Sequence, residues 1–234
     1  MKKKLILIGI LVMTTLSISK EERPNVGQDF TRPLTRIDLR AKVTDDEKNI
    51  YTIRVQRPFK LENGWTINTR VDLPYVFNNE INNDGLGTML GQFMAIAPKG
   101  NKKWTYAIGA QIKSDIVSDD IGDNKTYIAP ALGVRFDIGN GFGYTVVRPY
   151  IDTDDSKYAM TGIKTGYNIT SKEGYFLTIA SESYIEENKT RIPISATVGK
   201  LIGKTDVVSI EIETDMYNEE KKGSELEVRW GHFF

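Results

Sequence analysis

The sequence predicts an all-β fold, a transmembrane antiparallel β-barrel of about twelve strands. Three observations carry this. Apolar and polar residues alternate with period two along nearly the whole chain. Most alternating stretches reach the roughly nine residues that a tilted strand needs to cross a bilayer, where a soluble strand has about five or six. The chain also opens on an export-like leader and closes on an alternating stretch, Glu227 to Phe234, that ends in an aromatic residue.

The leader comes first. Lys2, Lys3 and Lys4 precede an apolar run from Leu5 to Leu16, and Ser17, Ile18 and Ser19 supply small residues at the spacing a signal peptidase reads. Cleavage is expected after Ser19. The run falls short of the about 20 residues a spanning helix needs, so residues 1–19 read as a signal peptide rather than an anchor. Residues 20–34 then form an N-terminal segment on the periplasmic side, and residues 35–234 form the barrel. The absence of cysteine excludes a disulfide framework and thiol-based metal or redox sites, and Lys plus Arg 31 against Asp plus Glu 31 leaves no global charge for nucleic acid.

The alternation predicts strands over 35–44, 50–60, 65–77, 86–98, 104–114, 125–138, 142–152, 158–170, 175–185, 191–202, 207–217 and 224–234. In the third, Trp65, Ile67, Thr69, Val71, Leu73 and Tyr75 share one face, while Thr66, Asn68, Arg70 and Asp72 share the other. The same split separates Ile37, Leu39, Ala41 and Val43 from Arg36, Asp38, Arg40 and Lys42, and Val208, Ile210 and Ile212 from Ser209, Glu211 and Glu213. A soluble sandwich would bury these apolar faces against each other; a membrane barrel turns them to lipid. An even strand count puts both termini on one side.

The connections sort into two kinds. Residues 44–49, 78–85, 115–124, 153–157, 186–190 and 218–223 are mostly rich in Asp, Glu and Asn, whereas 61–64, 99–103, 139–141, 171–174 and 203–206 are mostly short turns with Gly, Asn and Lys. Short turns face the periplasm and longer loops the outside, so the acidic set is expected to be extracellular. Trp65, Tyr75, Trp104, Tyr127, Tyr158, Tyr175 and Trp230 stand near strand ends, where an interfacial aromatic girdle belongs.

The stretch from Val26 to Arg36, then Tyr51 to Phe59, Gly64 to Pro74, Gly85 to Gly87, Trp104 to Gly109, Ile128 to Pro130 and the aromatic C-terminus resembles a bacterial outer-membrane β-barrel family labelled phenol meta-cleavage pathway or transporter proteins. The resemblance covers nearly all of the mature chain, as scattered short motifs. It implies the barrel, the outer membrane and a route for hydrophobic substrates, and it carries no catalytic residues. It also implies that the barrel assembly machinery reads the closing strand through Trp230 and Phe234. Two departures stand out: Thr88 follows Gly85, Leu86 and Gly87 where the family has Asp, and a Gly-Ser-Gly-Lys-Trp-like segment is reduced to Ile121 to Lys125.

With the polar faces turned inward, Arg36, Arg40, Lys42, Arg54, Arg70, Lys113, Arg135, Arg148 and Lys164 form a basic wall on the first eight predicted strands. Glu182, Glu211, Glu213, Asp215 and Glu227 form an acidic wall on the last four, and the signs meet where the last strand closes on the first. The charges read either as ion pairs that fill the lumen or as a transverse field across a narrow water-filled pore. A lateral, hydrophobic route is the third reading. The expected function is therefore a channel or transporter for small molecules of unspecified identity, with a structural or surface-interaction barrel of filled lumen as the alternative.

Enzymatic and metal readings have less to rest on. The single histidine, His232, lies near the C-terminus in the outward register, and Ser181 and Ser183 flank Glu182 on a lipid-facing register, as packing or oligomer contacts do. Asp115, Asp119, Asp120 and Asp123, and likewise Asp152, Asp154 and Asp155, read as solvated loop charges without EF-hand spacing. Gly139, Gly141 and Gly143 form a turn with no helix after it. No catalytic residue, metal ligand or cofactor motif is assigned.

Overall fold

A computed structural model describes residues 23–234 apart from 81, 101–102, 115–124, 155, 187–188 and 219–222. The expected signal peptide and the aspartates of 115–124 therefore lie outside the described residues. The rest is antiparallel sheet: β1 (Arg36–Thr44), β2 (Lys48–Lys60), β3 (Thr66–Asn78), β4 (Asn83–Leu86), β5 (Met89–Ile96), β6 (Trp104–Ser114), β7 (Thr126–Ile138), β8 (Gly141–Asp152), β9 (Tyr158–Thr170), β10 (Tyr175–Ile185), β11 (Thr190–Ile202), β12 (Asp206–Asn218) and β13 (Ser224–Phe233).

Apart from β4 and β5, each strand pairs with its neighbours in sequence, and β1 pairs with β13 from Arg36↔Phe233 to Thr44↔Glu225, so the sheet closes on itself. Both β4 and β5 pair with β3, making two pieces of one stave; the barrel thus has twelve. The predicted strand over 86–98 is broken around Gly87, whose N–H donates to the Pro74 carbonyl at 3.0 Å. Pro74 has no N–H to return, so the ladder lapses there. A second lapse lies between β7 and β8, where the ladder skips from Ile128↔Ile151 to Leu132↔Val147 across Pro130 and Pro149.

Alternation decides what faces where. Val71, Leu73, Ile108, Leu132, Val198, Ile210 and Ile212 are exposed, while their in-strand neighbours Asp72, Ala107, Ala131, Thr197 and Ser209 are buried. An apolar belt of this extent is fit for lipid, not water. Exposed aromatic residues mark both ends of the staves: Tyr51, Tyr75, Phe77 and Tyr158 at the end carrying the longer loops, Trp104, Tyr175 and Trp230 at the other. Tyr127 departs from the expected girdle, because it shares the inward register of Ala129 and packs edge-on against Tyr150 with ring centroids 6.5 Å apart.

At the short-turn end, Gly64, Gly100, Gly139, Gly174 and Gly203 all take positive φ between 52° and 83°. L side chains resist that conformation, which is why each short turn carries a glycine. The same end holds Phe233, and it holds the N-terminal segment too. Residues 23–34, expected simply on the periplasmic side, enter the barrel mouth. Val26 is buried with Phe176, Val207 and Phe233, and Phe30 packs on Met94, Ile96, Ala107 and Ala131. Two apolar side chains that water would otherwise surround find cover there. The topology predicts that a cysteine at Asp154 reacts with an impermeant thiol reagent on intact cells and one at Asn140 does not; equal reaction at both positions would contradict the orientation.

Candidate functional site

The lumen encloses a cavity of about 400 Å³ that runs from the N-terminal segment toward the long-loop end. Period-two strands deliver its lining. Ten basic side chains and six carboxylates border it, so the wall is charged on every side and carries more cations than anions. Arg36, Arg40, Arg54, Arg70, Lys113, Arg148, Lys164, Glu182, Glu211, Glu213 and Glu227 all line it. Two residues of the predicted walls stand apart. Arg135 borders a second space of about 470 Å³ on the outer side of the N-terminal segment. Asp215 lies toward the long-loop end, taking Arg191 Nε at 2.7 Å and the Gly223 N–H at 3.0 Å.

Most of these charges share partners. Asp72 accepts Arg54 Nε and Nη2 at 2.7 Å each and also takes a two-pronged bond from Arg70. Asp38, fully buried, lies 3.4 Å from Arg36 and 3.6 Å from Arg40, and Arg40 reaches across the seam to Glu227 at 3.3 Å. Lys42 donates to Glu225 at 2.8 Å across the same seam. Glu182 holds Arg148 at 3.2 Å and Lys164 at 2.9 Å. Lys113 sits 4.7 Å from the ring centre of Tyr150 and 5.0 Å from that of Tyr184, a cation between two π faces.

The two-wall division therefore holds only in outline. Asp38 and Asp72 stand inside the basic half, and Arg191 and Arg229 inside the acidic half. Packed like charges in a low dielectric need counter-ions, and these residues provide them. Arg191 and Arg229 occupy inward registers that alternation alone marks. Asp29 was beyond such reach: its segment has no period, yet its carboxylate takes Arg135 Nε at 3.1 Å across a separation of 106 residues. Asp29 also holds the Thr31 N–H at 3.0 Å, and Asn25 donates to the Arg32 carbonyl at 2.6 Å, so the segment is a compact turn braced within itself.

Outside the lumen, His232 Nδ1 lies 3.0 Å from Asp206, with Trp230 and Phe234 rings on either side at 6.1 and 4.8 Å. Ser181 and Ser183 bond each other at 3.2 Å on β10, on the register opposite to Glu182.

No family model matches the chain, and no curated protein matches it. Solved structures do. The KdgM porin aligns over 85% of this chain and 99% of its own, at 14% identity and a TM-score of 0.60. An outer membrane channel from Pseudomonas putida F1 aligns over 92% of this chain and all of its own, at 12% identity and a TM-score of 0.72. The outer membrane phospholipase A of Escherichia coli aligns over 89% and 95%, at 13% identity and a TM-score of 0.55. The fold is that of an outer-membrane β-barrel. At these identities the likeness is one of fold, and the phenol meta-cleavage label finds no match.

Shared carboxylates set the expected stability effects. Asp72→Asn leaves two arginines short of a counter-ion and should lower barrel stability by about 3–5 kcal/mol, as loss of one side of a buried pair does. Glu211→Gln removes a carboxylate whose hydrogen bond comes from Thr197, at 2.5 Å, and should cost about 1 kcal/mol or less. Urea midpoints of the refolded barrel in detergent, compared with wild type, measure both; equal losses would refute the ranking.

Proposed function

We propose that the chain is an outer-membrane channel for small polar solutes, exported by its leader and narrowed at the periplasmic mouth by residues 23–34. The observation that carries this reading is the lumen itself, a charged cavity instead of a packed apolar core. An interior of paired arginines, lysines and carboxylates attracts water, and a transverse field between Arg54 and Arg70 on one side and Glu211 and Glu213 on the other orients a dipolar solute. Solved barrels of this fold lend support, among them the KdgM porin, one structure of which is a complex with disordered oligogalacturonate. Assembly follows from the closing strand, whose Trp230 and Phe234 face outward where the barrel assembly machinery and lipid meet them.

The N-terminal segment sets the bore. Val26 and Phe30 seat it, and Asp29 ties it to Arg135. Planar-bilayer recordings of the refolded protein should show small stepwise openings, and removal of residues 20–34 should enlarge them. Glu211→Gln with Glu213→Gln should move the reversal potential toward anion preference in low salt, because less negative charge then faces the arginines. That shift should shrink in high salt, as the Debye length falls from about 10 Å at 0.1 M to about 3 Å at 1 M. Folded protein that stays silent with and without the segment would overturn the channel reading.

A further inference from the structure

Arg57 is the exception on the lipid face. It lies on β2 in the outward register of the exposed Tyr51, Ile53, Val55 and Phe59, while Arg54 and Gln56, of the opposite register, line the lumen. The other charged side chains in the outward register of the described strands have partners. Asp84 takes the Tyr75 hydroxyl, Lys200 Nζ donates to the Tyr175 hydroxyl at 2.8 Å, and Asp206 meets His232 at 3.0 Å. The Arg57 guanidinium meets no hydrogen-bond acceptor or carboxylate among the described residues; its contact is the Phe59 ring, whose centre lies 5.1 Å from Cζ. Thr69, directly opposite on β3, gives its hydroxyl to the Arg57 carbonyl at 3.1 Å and not to the side chain.

Ile53, Val55 and Arg57 lie between Tyr51 and Phe59, so the Arg57 backbone stands inside the apolar belt. A cation there is costly unless its head reaches the interface. Phe59 is two residues nearer the short turn, and a guanidinium over that ring is turned toward the periplasmic rim, the direction in which a long basic side chain snorkels. At that rim stand the phosphates of the periplasmic leaflet, and the parallel N–H groups of a guanidinium match two phosphate oxygens. A second copy offers no free carboxylate at that depth, since Asp84 lies at the long-loop end and Asp206 is held by His232. We infer that Arg57 anchors one phosphoglyceride of the periplasmic leaflet through its phosphate, on the outer face of β2, β3 and β5. Gly91 on β5 gives an acyl chain its place: it stands between the exposed Val71 and Ile112, and a Cβ added there would meet nothing within 4 Å. The site is separate from the lumen and does not depend on whether the barrel conducts; its leaflet follows from the orientation of the short turns.

Native mass spectrometry of the full refolded barrel, released from detergent with dioleoyl phosphatidylglycerol added, tests this. Wild type should retain one such lipid, and should not retain dioleoylglycerol, which lacks the phosphate. Arg57→Leu should lower retention about tenfold, the scale of one charge-assisted contact. Its urea midpoint should not fall, because an apolar residue replaces a charge in the lipid-facing register. Arg57→Lys keeps the charge without the fork and should retain an intermediate amount. Lys200→Leu removes the other outward cation and should leave retention unchanged. Gly91→Leu fills the notch and should lower retention with Arg57 untouched; it keeps the test alive should Arg57→Leu fail to fold. Inorganic phosphate in excess should not displace the lipid. Equal retention in wild type and in Arg57→Leu or Gly91→Leu, an equal loss in Lys200→Leu, or equal retention of dioleoylglycerol would overturn the site. Displacement by inorganic phosphate would overturn it in favour of the free ion, and a wild-type dimer abolished by Arg57→Leu would overturn it in favour of a second copy.

Discussion

In hydrocarbon there is no water to satisfy a backbone N–H or C=O, so each has to find its partner within the protein. For a chain built of strands this forces closure, and the pairing of β1 with β13 over nine residues supplies it. Once the ladder is closed, the pleat leaves each side chain one of two destinations, lipid or lumen. The prolines fit that frame. Pro130 and Pro149 face each other where the β7 and β8 ladder skips, and Pro193 lies at the register shift between β11 and β12. Residues with no N–H to offer sit where the ladder asks for none.

The same geometry creates the second problem. Every charge kept out of lipid is pushed into a narrow interior, where desolvation is costly unless the charge is paired. The chain meets this by sharing: Asp38 between Arg36 and Arg40, Asp72 between Arg54 and Arg70, Glu182 between Arg148 and Lys164. One carboxylate between two cations fixes both side chains but leaves a positive remainder. That remainder gives the cavity its excess of basic groups.

What was legible in the sequence follows from period two. Alternation over Trp65 to Tyr75 groups Asn68, Arg70 and Asp72 on one face, and in the barrel Asn68 and Asp72 are buried and Arg70 borders the cavity. The strand boundaries agree within a residue or two except around Gly87, where Pro74 interrupts the partner strand. Pairing was less legible, because register is a property of two strands: nothing along β1 says that Arg40 meets Arg229, or along β12 that Glu211 meets Glu227. Tyr127 was misplaced for a related reason, since proximity to a strand end says nothing about face. The N-terminal segment was the least legible part. A compact turn held by Asn25 and Asp29 has no period, and its tie to Arg135 joins positions far apart in the chain.

That segment differs in kind from the staves around it. The ladder runs complete from β1 to β13 without any contribution from residues 23–34, so the barrel does not depend on them for closure. The segment is also bonded within itself, from Asn25 to Arg32 and from Thr31 to Asp29. Wall and segment meet through Val26, Phe30 and Leu34, the Asp29 to Arg135 pair, the bond from Arg36 Nη1 to the Gly27 carbonyl at 2.9 Å and that from Gln56 Nε2 to the Leu34 carbonyl at 3.3 Å. The consequence is a division of labour. Closure resides in the ladder and charge balance in the shared carboxylates, while the short-turn mouth is occupied by a short insert that the ladder does not require.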